Sequence, residues 1–157
     1  MPKKNIKINT ESRELISLFN NITGAIIKDC VIYKPSTEDP EVIIFLVKKE
    51  HVGKAIGKAG ENVKDLRSKL QKKVIVMPFS ENLEEFTRFI FRANKNPIKI
   101  QNIEIREGRN QKKIMIISVA PQDRGRAIGK EGEMIKKARF LLTRHFNVDN
   151  VMINTRD

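Results

Sequence analysis

Apolar positions in the first half of the chain follow two periods, one helical and one alternating. ESRELISLFNNITGAII has helical spacing, and Thr10 stands where a residue can cap the helix. KDCVIYK and EVIIFLVKK alternate as strands do, with the turn-forming PSTEDP between them. A short helix near residues 51–57, a glycine turn, a helix near 61–71 and a strand in KKVIVMPF follow. The predicted order is helix, strand, strand, helix, helix, strand.

The second half predicts the same six elements in the same order. ENLEEFTRFIFRANK has helical spacing, and IKIQNIEIRE and KKIMIISVA alternate on either side of the loop GRNQ. A glycine turn near 129–132, a helix to about His145 and a strand in NVMINT complete the series. Residues 1–79 and 80–157 are therefore expected to be two domains. Because only PFS joins them, we expect the domains to share an interface.

The two halves also match residue by residue around their glycine turns. HVGKAIGKAGENVKDLRSKL and DRGRAIGKEGEMIKKARFLL align at an offset of 72 residues, so that Gly53 meets Gly125. About half of the aligned positions are identical. So dense a match in a short chain indicates an internal repeat.

Phenylalanines in the fourth helix pattern have two interpretations. Phe79, Phe86, Phe89 and Phe91 could be platforms on which nucleic-acid bases stack. However, Phe86, Phe89 and Ile90 fall at helical spacing, which is typical of a core stripe. The spacing favours the core.

Charge narrows the choice of partner. The 157 residues contain 31 Lys and Arg against 19 Asp and Glu, which gives a net charge of +12 and a pI near 10.0. Such a field attracts polyanions, with nucleic acid first and an anionic membrane surface or an acidic protein second. Residues 1–80 and 81–157 each carry +6, so the basic character belongs to the repeated unit.

Cysteine and histidine argue against metal, cofactor and catalytic chemistry. A single cysteine, Cys30, cannot form an internal disulfide, and two histidines add no zinc ligand set. His51 can cap a helix, and His145 suits a helix C-terminus; neither has a nucleophile or carboxylate arranged nearby in sequence. No apolar run approaches the roughly 18 residues that span a bilayer. The sequence predicts a cytoplasmic protein that is not an enzyme, without cofactor, metal or membrane partner.

The glycine turns have the chemistry of a phosphate seat. Gly57 and Gly60 permit a tight turn and close backbone approach, and Lys58 places a cation at its tip. The helix that follows supplies unpaired amide groups and the positive end of its dipole. A P-loop has four residues between its first glycine and its Gly-Lys pair, and a Ser or Thr directly after the lysine. Here Lys58 is followed by Ala59. The dinucleotide pattern G-x-G-x-x-G is absent as well.

GKAIGKAGE and GRAIGKEGE, each inside helix–strand–strand–helix–helix–strand, resemble the KH domain in its type II arrangement. Two such units in tandem look like the KH pair of NusA, and the chain resembles the short archaeal NusA-like transcription factors. The resemblance implies an α+β fold with a mixed three-stranded sheet covered by helices in each unit. It also implies that each Gly-x-x-Gly loop clamps about four nucleotides of single-stranded RNA. The polymerase-binding N-terminal domain and the S1 domain of bacterial relatives are not found, so direct polymerase contact is not expected.

The resemblance assigns an RNA-binding set to each unit. Apolar residues would line a groove for the bases, the loop would hold phosphates, and Glu131 would partly offset Lys130. Basic residues on the following helices, such as Lys64 and Lys136, are as well explained by a solvated face. The set comprises Gly53, Lys54, Ile56, Gly57, Lys58, Ala59, Gly60, Val63, Lys64 and Arg67, and then Gly125, Arg126, Ile128, Gly129, Lys130, Glu131, Gly132, Ile135, Lys136 and Arg139.

Three functions remain open from the sequence. The first is a non-catalytic single-stranded RNA-binding protein that acts in transcription elongation or termination, a role implied by the resemblance alone. The second is a KH protein of ribosome assembly or RNA processing. The third is a docking module for an acidic protein partner, which would use the charge of +12 without nucleic acid.

Overall fold

The computed structural model of the protein describes residues 9–93 and 97–155, which form two compact units divided between Ser80 and Glu81. Each unit has the order helix, strand, strand, helix, helix, strand, as predicted. The first contains α1 (Thr10–Thr23), β1 (Ile27–Tyr33), β2 (Val42–Lys48), α2 (Val52–Ile56), α3 (Glu61–Leu70) and β3 (Lys73–Phe79). The second contains α4 (Leu83–Arg92), β4 (Asn102–Glu107), β5 (Lys113–Val119), α5 (Arg124–Ile128), α6 (Glu133–His145) and β6 (Asn150–Thr155).

The cap of helix α1 lies one residue earlier than predicted. Asn9 is the cap, and its Oδ1 accepts a hydrogen bond of 2.8 Å from the Ser12 N–H, so Thr10 is the first helical residue. The helix was also predicted to continue through Ile27. It ends at Thr23 because Gly24 adopts φ 68° and donates its N–H to the Asn20 carbonyl at 2.9 Å.

The first sheet is mixed, in the order β1-β2-β3. β1 and β2 are antiparallel, with Cys30 opposite Phe45, and β2 and β3 are parallel, with Phe45 opposite Val76. A parallel pair needs a long crossover, and α2 and α3 provide it. The central strand β2 is buried at every residue except Lys48, so it lacks the alternation expected of a half-exposed strand.

The core of the first unit lies between one face of this sheet and the helices. The Phe19 ring of α1 stacks on the Phe45 ring of β2, with centroids 4.3 Å apart. Fully buried Leu66 brings α3 onto the same cluster. The cluster comprises Phe19, Ala25, Cys30, Ile43, Phe45, Val47, Ala55, Leu66 and Val74. Cys30 is thus a buried core residue, as its alternating run suggested.

The second sheet repeats this topology in the order β4-β5-β6, with Ile105 opposite Met115 and Met115 opposite Val151. Phe86 and Ile90 of α4 are fully buried, which confirms the core interpretation for both, whereas Phe89 is only half-buried. Phe86 packs edge-on against the ring of His145 at a centroid distance of 5.9 Å. Helix α4 therefore packs at the C-terminal end of α6.

The strand predicted from residue 98 begins only at Asn102. Ile98 and Ile100 are buried, which explains their alternation, but their backbone groups bond to a helix. The Ile98 N–H donates to the Phe91 carbonyl at 3.4 Å, and Arg88 Nη1 donates to the Ile100 carbonyl at 3.0 Å. These two hydrogen bonds hold residues 97–100 against α4.

No helix in the described part of the chain is both long and apolar enough to cross a membrane.

Candidate nucleic-acid interface

The first glycine turn joins α2 to α3 through a sharply defined backbone. Gly57 has φ 81° and ψ 169°, Ala59 has φ 55°, and Gly60 has φ 74°. The Gly57 N–H donates to the Gly53 carbonyl at 2.9 Å, and the Gly60 N–H donates to the Gly57 carbonyl at 3.1 Å. These bonds end α2 and redirect the chain into α3 within four residues.

The second turn, between α5 and α6, has nearly the same geometry. Gly129 has φ 82° and ψ 168°, Glu131 has φ 55°, and Gly132 has φ 74°. The Gly129 N–H donates to the Gly125 carbonyl at 2.8 Å, and the Gly132 N–H donates to the Gly129 carbonyl at 3.1 Å. The repeat seen in the sequence is therefore a repeat of backbone conformation.

The first glycine of each turn is required by packing as well as by φ. A Cβ atom on Gly57 would lie 2.8 Å from Asn62 Nδ2 and 3.1 Å from the Asn62 backbone nitrogen. On Gly129 it would lie 2.7 Å from the Met134 backbone nitrogen and 2.9 Å from Met134 Cβ. The distances below 3.0 Å are shorter than real Cβ atoms show, because the following helix begins directly against each glycine.

The turns are anchored differently behind this shared geometry. In the first unit, Asn62 Nδ2 donates to the Lys54 carbonyl at 3.1 Å and ties the start of α3 to α2. The aligned residue in the second unit is Met134, whose side chain is buried. A hydrogen bond in one unit is thus replaced by apolar packing in the other.

The tips of both turns are open to solvent. Lys58, Ala59, Lys130 and Glu131 are all exposed, and no side chain caps the N-terminus of α3 or α6. The amide groups of a first helical turn lack partners within the helix, and the dipole makes that end positive. An anion can therefore approach the start of either helix beside a lysine.

The electrostatic surroundings of the turns are unequal. Around the first, Lys54, Lys58 and Lys64 are exposed, and the tip residue beside Lys58 is the uncharged Ala59. Lys54 reaches over the C-terminus of α1, where a Cβ on Gly24 would lie 3.5 Å from its Nζ atom. That position suits a cation.

Around the second turn, two carboxylates reduce the positive charge. Arg126 Nη2 lies 2.5 Å from Asp123 Oδ1, and Glu131 sits at the tip beside Lys130. Lys136 is exposed, like Lys64 in the first unit. At its tip, the first turn is therefore the more electropositive of the two.

Apolar residues beside each turn remain partly open. Ile56 on α2 and Val63 on α3 are half-buried, as are Ile128 on α5 and Ile135 on α6. Both helices of each pair contact the last strand of their unit, β3 or β6, which is an edge strand of its sheet. The helix pair and the edge strand of each unit thus lie together, and the apolar residues beside the turn are not fully covered.

Two arginines in the predicted set have a structural role that the sequence pattern did not reveal. Arg67 Nη2 donates to the Val74 carbonyl at 3.2 Å, and Arg139 Nη2 donates to the Val151 carbonyl at 3.0 Å. Each guanidinium thus ties a helix to the edge strand of its unit. Arg139 Nε is buried with no hydrogen-bond partner among the described residues. The sequence did contain a signal of this role, because arginine occupies the same position in both copies whereas most neighbouring surface positions differ.

His51 occupies the N-cap position of α2, as predicted, but its side chain makes no capping hydrogen bond. Helix α2 has no side-chain cap, and His51 Nδ1 instead accepts a hydrogen bond of 2.9 Å from the Ile26 N–H. The imidazole therefore joins the loop after α1 to the entrance of α2. Within residues 9–93 and 97–155, no group of three His, Cys, Asp or Glu side chains is placed to hold a metal ion.

Comparison with known proteins agrees with this architecture. The sequence profile of the KH domain matches residues 15–109. A protein of Methanococcus vannielii named "Probable transcription termination protein NusA" is 36% identical over 94% of this chain and 79% of its own length. Proteins of the same name from Halobacterium salinarum and Thermoplasma acidophilum are 30% and 28% identical, over 98% and 99% of their lengths.

A solved structure gives the same result in three dimensions. The crystal structure of APE1850 superposes with a TM-score of 0.81 at 35% identity, covering 94% of this chain and all of that one. The chain therefore belongs to the KH domain family, among its archaeal NusA-like members.

Proposed function

We propose that the protein binds single-stranded RNA through its two Gly-x-x-Gly turns and acts in transcription termination or elongation. The observation that carries the proposal is the paired turn geometry. Each turn has two glycines at positive φ, an exposed lysine at its tip and an uncapped helix start behind it. KH domains use such loops to clamp the backbone of about four nucleotides.

Each residue type in the turn has a distinct task. Gly57 and Gly129 let the chain turn directly against the next helix, which brings the RNA backbone close to main-chain amides. Lys58 and Lys130 neutralise phosphates. The half-buried isoleucines Ile56 and Ile128 contact bases at the side of the turn. We propose residues 1–79 and 80–157 as the two RNA-binding domains.

The role in transcription rests on relatives. Proteins that carry the name "Probable transcription termination protein NusA" align with nearly all of this chain. We propose that the protein reaches the transcription machinery by binding the transcript. Crosslinking in native cells, followed by sequencing of the bound RNA, tests this role. Nascent transcripts are expected, and a predominance of ribosomal RNA would instead support ribosome assembly.

Charge reversal at the first turn tests the RNA site itself. Lys58→Asp with Ala59→Asp puts carboxylates where phosphates should lie, and single-stranded RNA affinity should fall by more than about tenfold, from the loss of a few charged contacts. The fold should survive, because both residues are exposed and Asp tolerates the left-handed φ at position 59.

A matched variant separates local contact from net charge. Lys34→Asp with Thr37→Asp changes the charge equally in an exposed loop of the same unit. RNA affinity should fall much less in this control than in the turn variant. Equal losses in the two proteins would remove the turn from the binding site and leave only a long-range electrostatic effect.

A further inference from the structure

Helix α4 and the segment 97–100 form a cationic depression, here called the cup, which is separate from the Gly-x-x-Gly turns. The cup has a volume of about 230 Å³ and is lined by Arg88, Arg92, Pro97, Ile98, Lys99 and Ile100. Its lining contains three cations and no carboxylate. Among the described residues, Arg92 and Lys99 are exposed and form no ion pair, so their charge is available to a ligand.

The cup is held in shape by the protein's own contacts. Arg88 Nη1 donates to the Ile100 carbonyl at 3.0 Å, and Arg88 Nη2 donates to Glu84 Oε1 at 3.0 Å. Ile98 and Ile100 are 5% and 4% exposed, which anchors their segment in the core. Arg88 is therefore a structural member of the cup, whereas Arg92 and Lys99 can meet a ligand.

A flat aromatic surface adjoins the cup. Arg92 Cζ lies 6.0 Å from the centroid of the Phe89 ring, over its face. Phe89 is half-buried and lines a neighbouring depression of about 280 Å³. The other lining residues are Asn82, Glu84, Glu85, Arg88 and Arg92, so carboxylates lie on this side of the ring and the cationic side is the cup. A guanidinium over an aromatic ring offers both a charge and a stacking plane.

We propose that this surface, the α4 cup with Phe89, is an accessory contact for one nucleotide of bound RNA. A nucleotide combines a phosphate with a flat base, which matches paired cations beside a ring. An acidic peptide would use the cations and leave the ring without a role. The proposal rests on RNA binding by the turns and extends it to a second surface of the second unit.

The position of α4 predicts which RNA will use this contact. α4 packs at the His145 end of α6, whereas the Gly129–Gly132 turn lies at the Glu133 end. The 13 residues of α6 separate the two ends by roughly 18 Å. A strand held at the turn must run along this length to reach α4, so an RNA longer than the about four nucleotides clamped by a KH loop should gain the most from the second contact.

The test compares Arg92→Ala with Lys99→Ala against a matched pair, Lys28→Ala with Arg109→Ala. The control residues are exposed and remove the same two charges elsewhere. Each protein is titrated with single-stranded RNAs of about four and about twelve nucleotides. The cup variant should bind the long RNA about five- to tenfold more weakly, with a log–log salt slope less negative by about 0.7, for the one phosphate of the proposed nucleotide. Its affinity for the short RNA, and both affinities of the control, should change less than twofold.

Phe89→Leu isolates the ring, because it keeps apolar bulk while removing the stacking plane. This variant should weaken long-RNA binding without changing the salt slope. Equal behaviour of cup variant and control, with the parent still binding RNA through its turns, overturns the cup alone. No RNA binding by the parent overturns the proposed function as well. Capture of a polyglutamate peptide by the parent but not by the cup variant, with RNA affinity unchanged, overturns the RNA assignment in favour of an acidic protein.

Discussion

Alanine at each of the four turn glycines should separate two sources of strain. Gly57 and Gly129 lie near φ 82° and ψ 168°, a region that only glycine adopts readily, and a Cβ atom there meets the next helix. Gly60 and Gly132 lie at φ 74° in the left-handed helical region. The atom nearest to a Cβ on Gly60 would be Lys64 Cε at 4.0 Å. The atom nearest to a Cβ on Gly132 would be Lys136 Cε at 3.5 Å. Only the first pair combines forbidden conformation with collision.

These differences set the expected magnitudes. Left-handed φ costs a residue with a Cβ atom about 1–2 kcal/mol, and Gly→Ala recovers about 0.4–1 kcal/mol by restricting the unfolded chain. Gly60→Ala and Gly132→Ala should therefore lower the free energy of unfolding by about 1 kcal/mol or less. Backbone strain and overpacking of about 1–3 kcal/mol each act together at Gly57. Gly57→Ala should cost about 2–3 kcal/mol, the lower end of their sum, because the nearest atoms belong to the Asn62 side chain, which can move.

Gly129→Ala should be the most damaging of the four. Its Cβ atom meets main-chain nitrogen at 2.7 Å, whereas the nearest atom at Gly57 belongs to the movable Asn62 side chain. Urea unfolding followed by circular dichroism gives the comparison, with each unit's transition fitted separately if two are resolved. Equal effects of Gly57→Ala and Gly60→Ala would refute the reasoning from collision. An effect of Gly129→Ala smaller than that of Gly60→Ala would refute it as well.

Three further outcomes can be measured on the same protein. RNA affinity should fall with salt with a log–log slope near −3 to −4, from about four to six phosphate contacts, and a flat titration would point to base contacts or a protein partner. Arg139→Met should lower the free energy of unfolding of the RNA-free protein by about 1–2 kcal/mol, because the Val151 carbonyl loses its charged donor; an arginine that served only phosphates would leave it unchanged. A flexible Gly/Ser insertion after Phe79 should weaken binding of a long RNA but not of a four-nucleotide RNA, because it lowers the effective concentration of the second unit. Equal long-RNA affinities in titrations of parent and insertion variant would mean that the units bind separately.

Element order was predictable because each element's apolar period reflects its own burial. The repeat strengthened the prediction, since both halves had to satisfy one pattern. The ends of helices and strands were harder to predict where two different structures produce the same sequence pattern. Ile98 and Ile100 alternate with polar residues as in a strand, yet they are buried because their own segment is hydrogen-bonded to α4. Asn9 and Thr10 are both residue types that cap helices. Only the structure shows that the Asn9 side chain accepts the hydrogen bond from the Ser12 N–H.

Long-range hydrogen bonds were beyond the reach of sequence spacing. Arg67 and Arg139 were recognised as basic positions on a helix face, where phosphate contact and simple solvation are both reasonable. Their bonds to Val74 and Val151 depend on how closely each helix approaches an edge strand, which no local pattern encodes. His51 is similar, because its partner Ile26 lies 25 residues earlier in the chain.

The two turns show why their geometry was easier to predict than their strength. At Gly57 and Gly129, positive φ and the lack of room for a Cβ atom leave glycine as the residue that fits, so the conformation is visible in the sequence. The exposed positions around the turn are not constrained by the fold, and there Ala59 in one unit is Glu131 in the other. Equal backbones with unequal fields should hold phosphates unequally. Reversing Lys130 to Asp should therefore reduce RNA affinity less than reversing Lys58, because Glu131 has already lowered the potential at that tip.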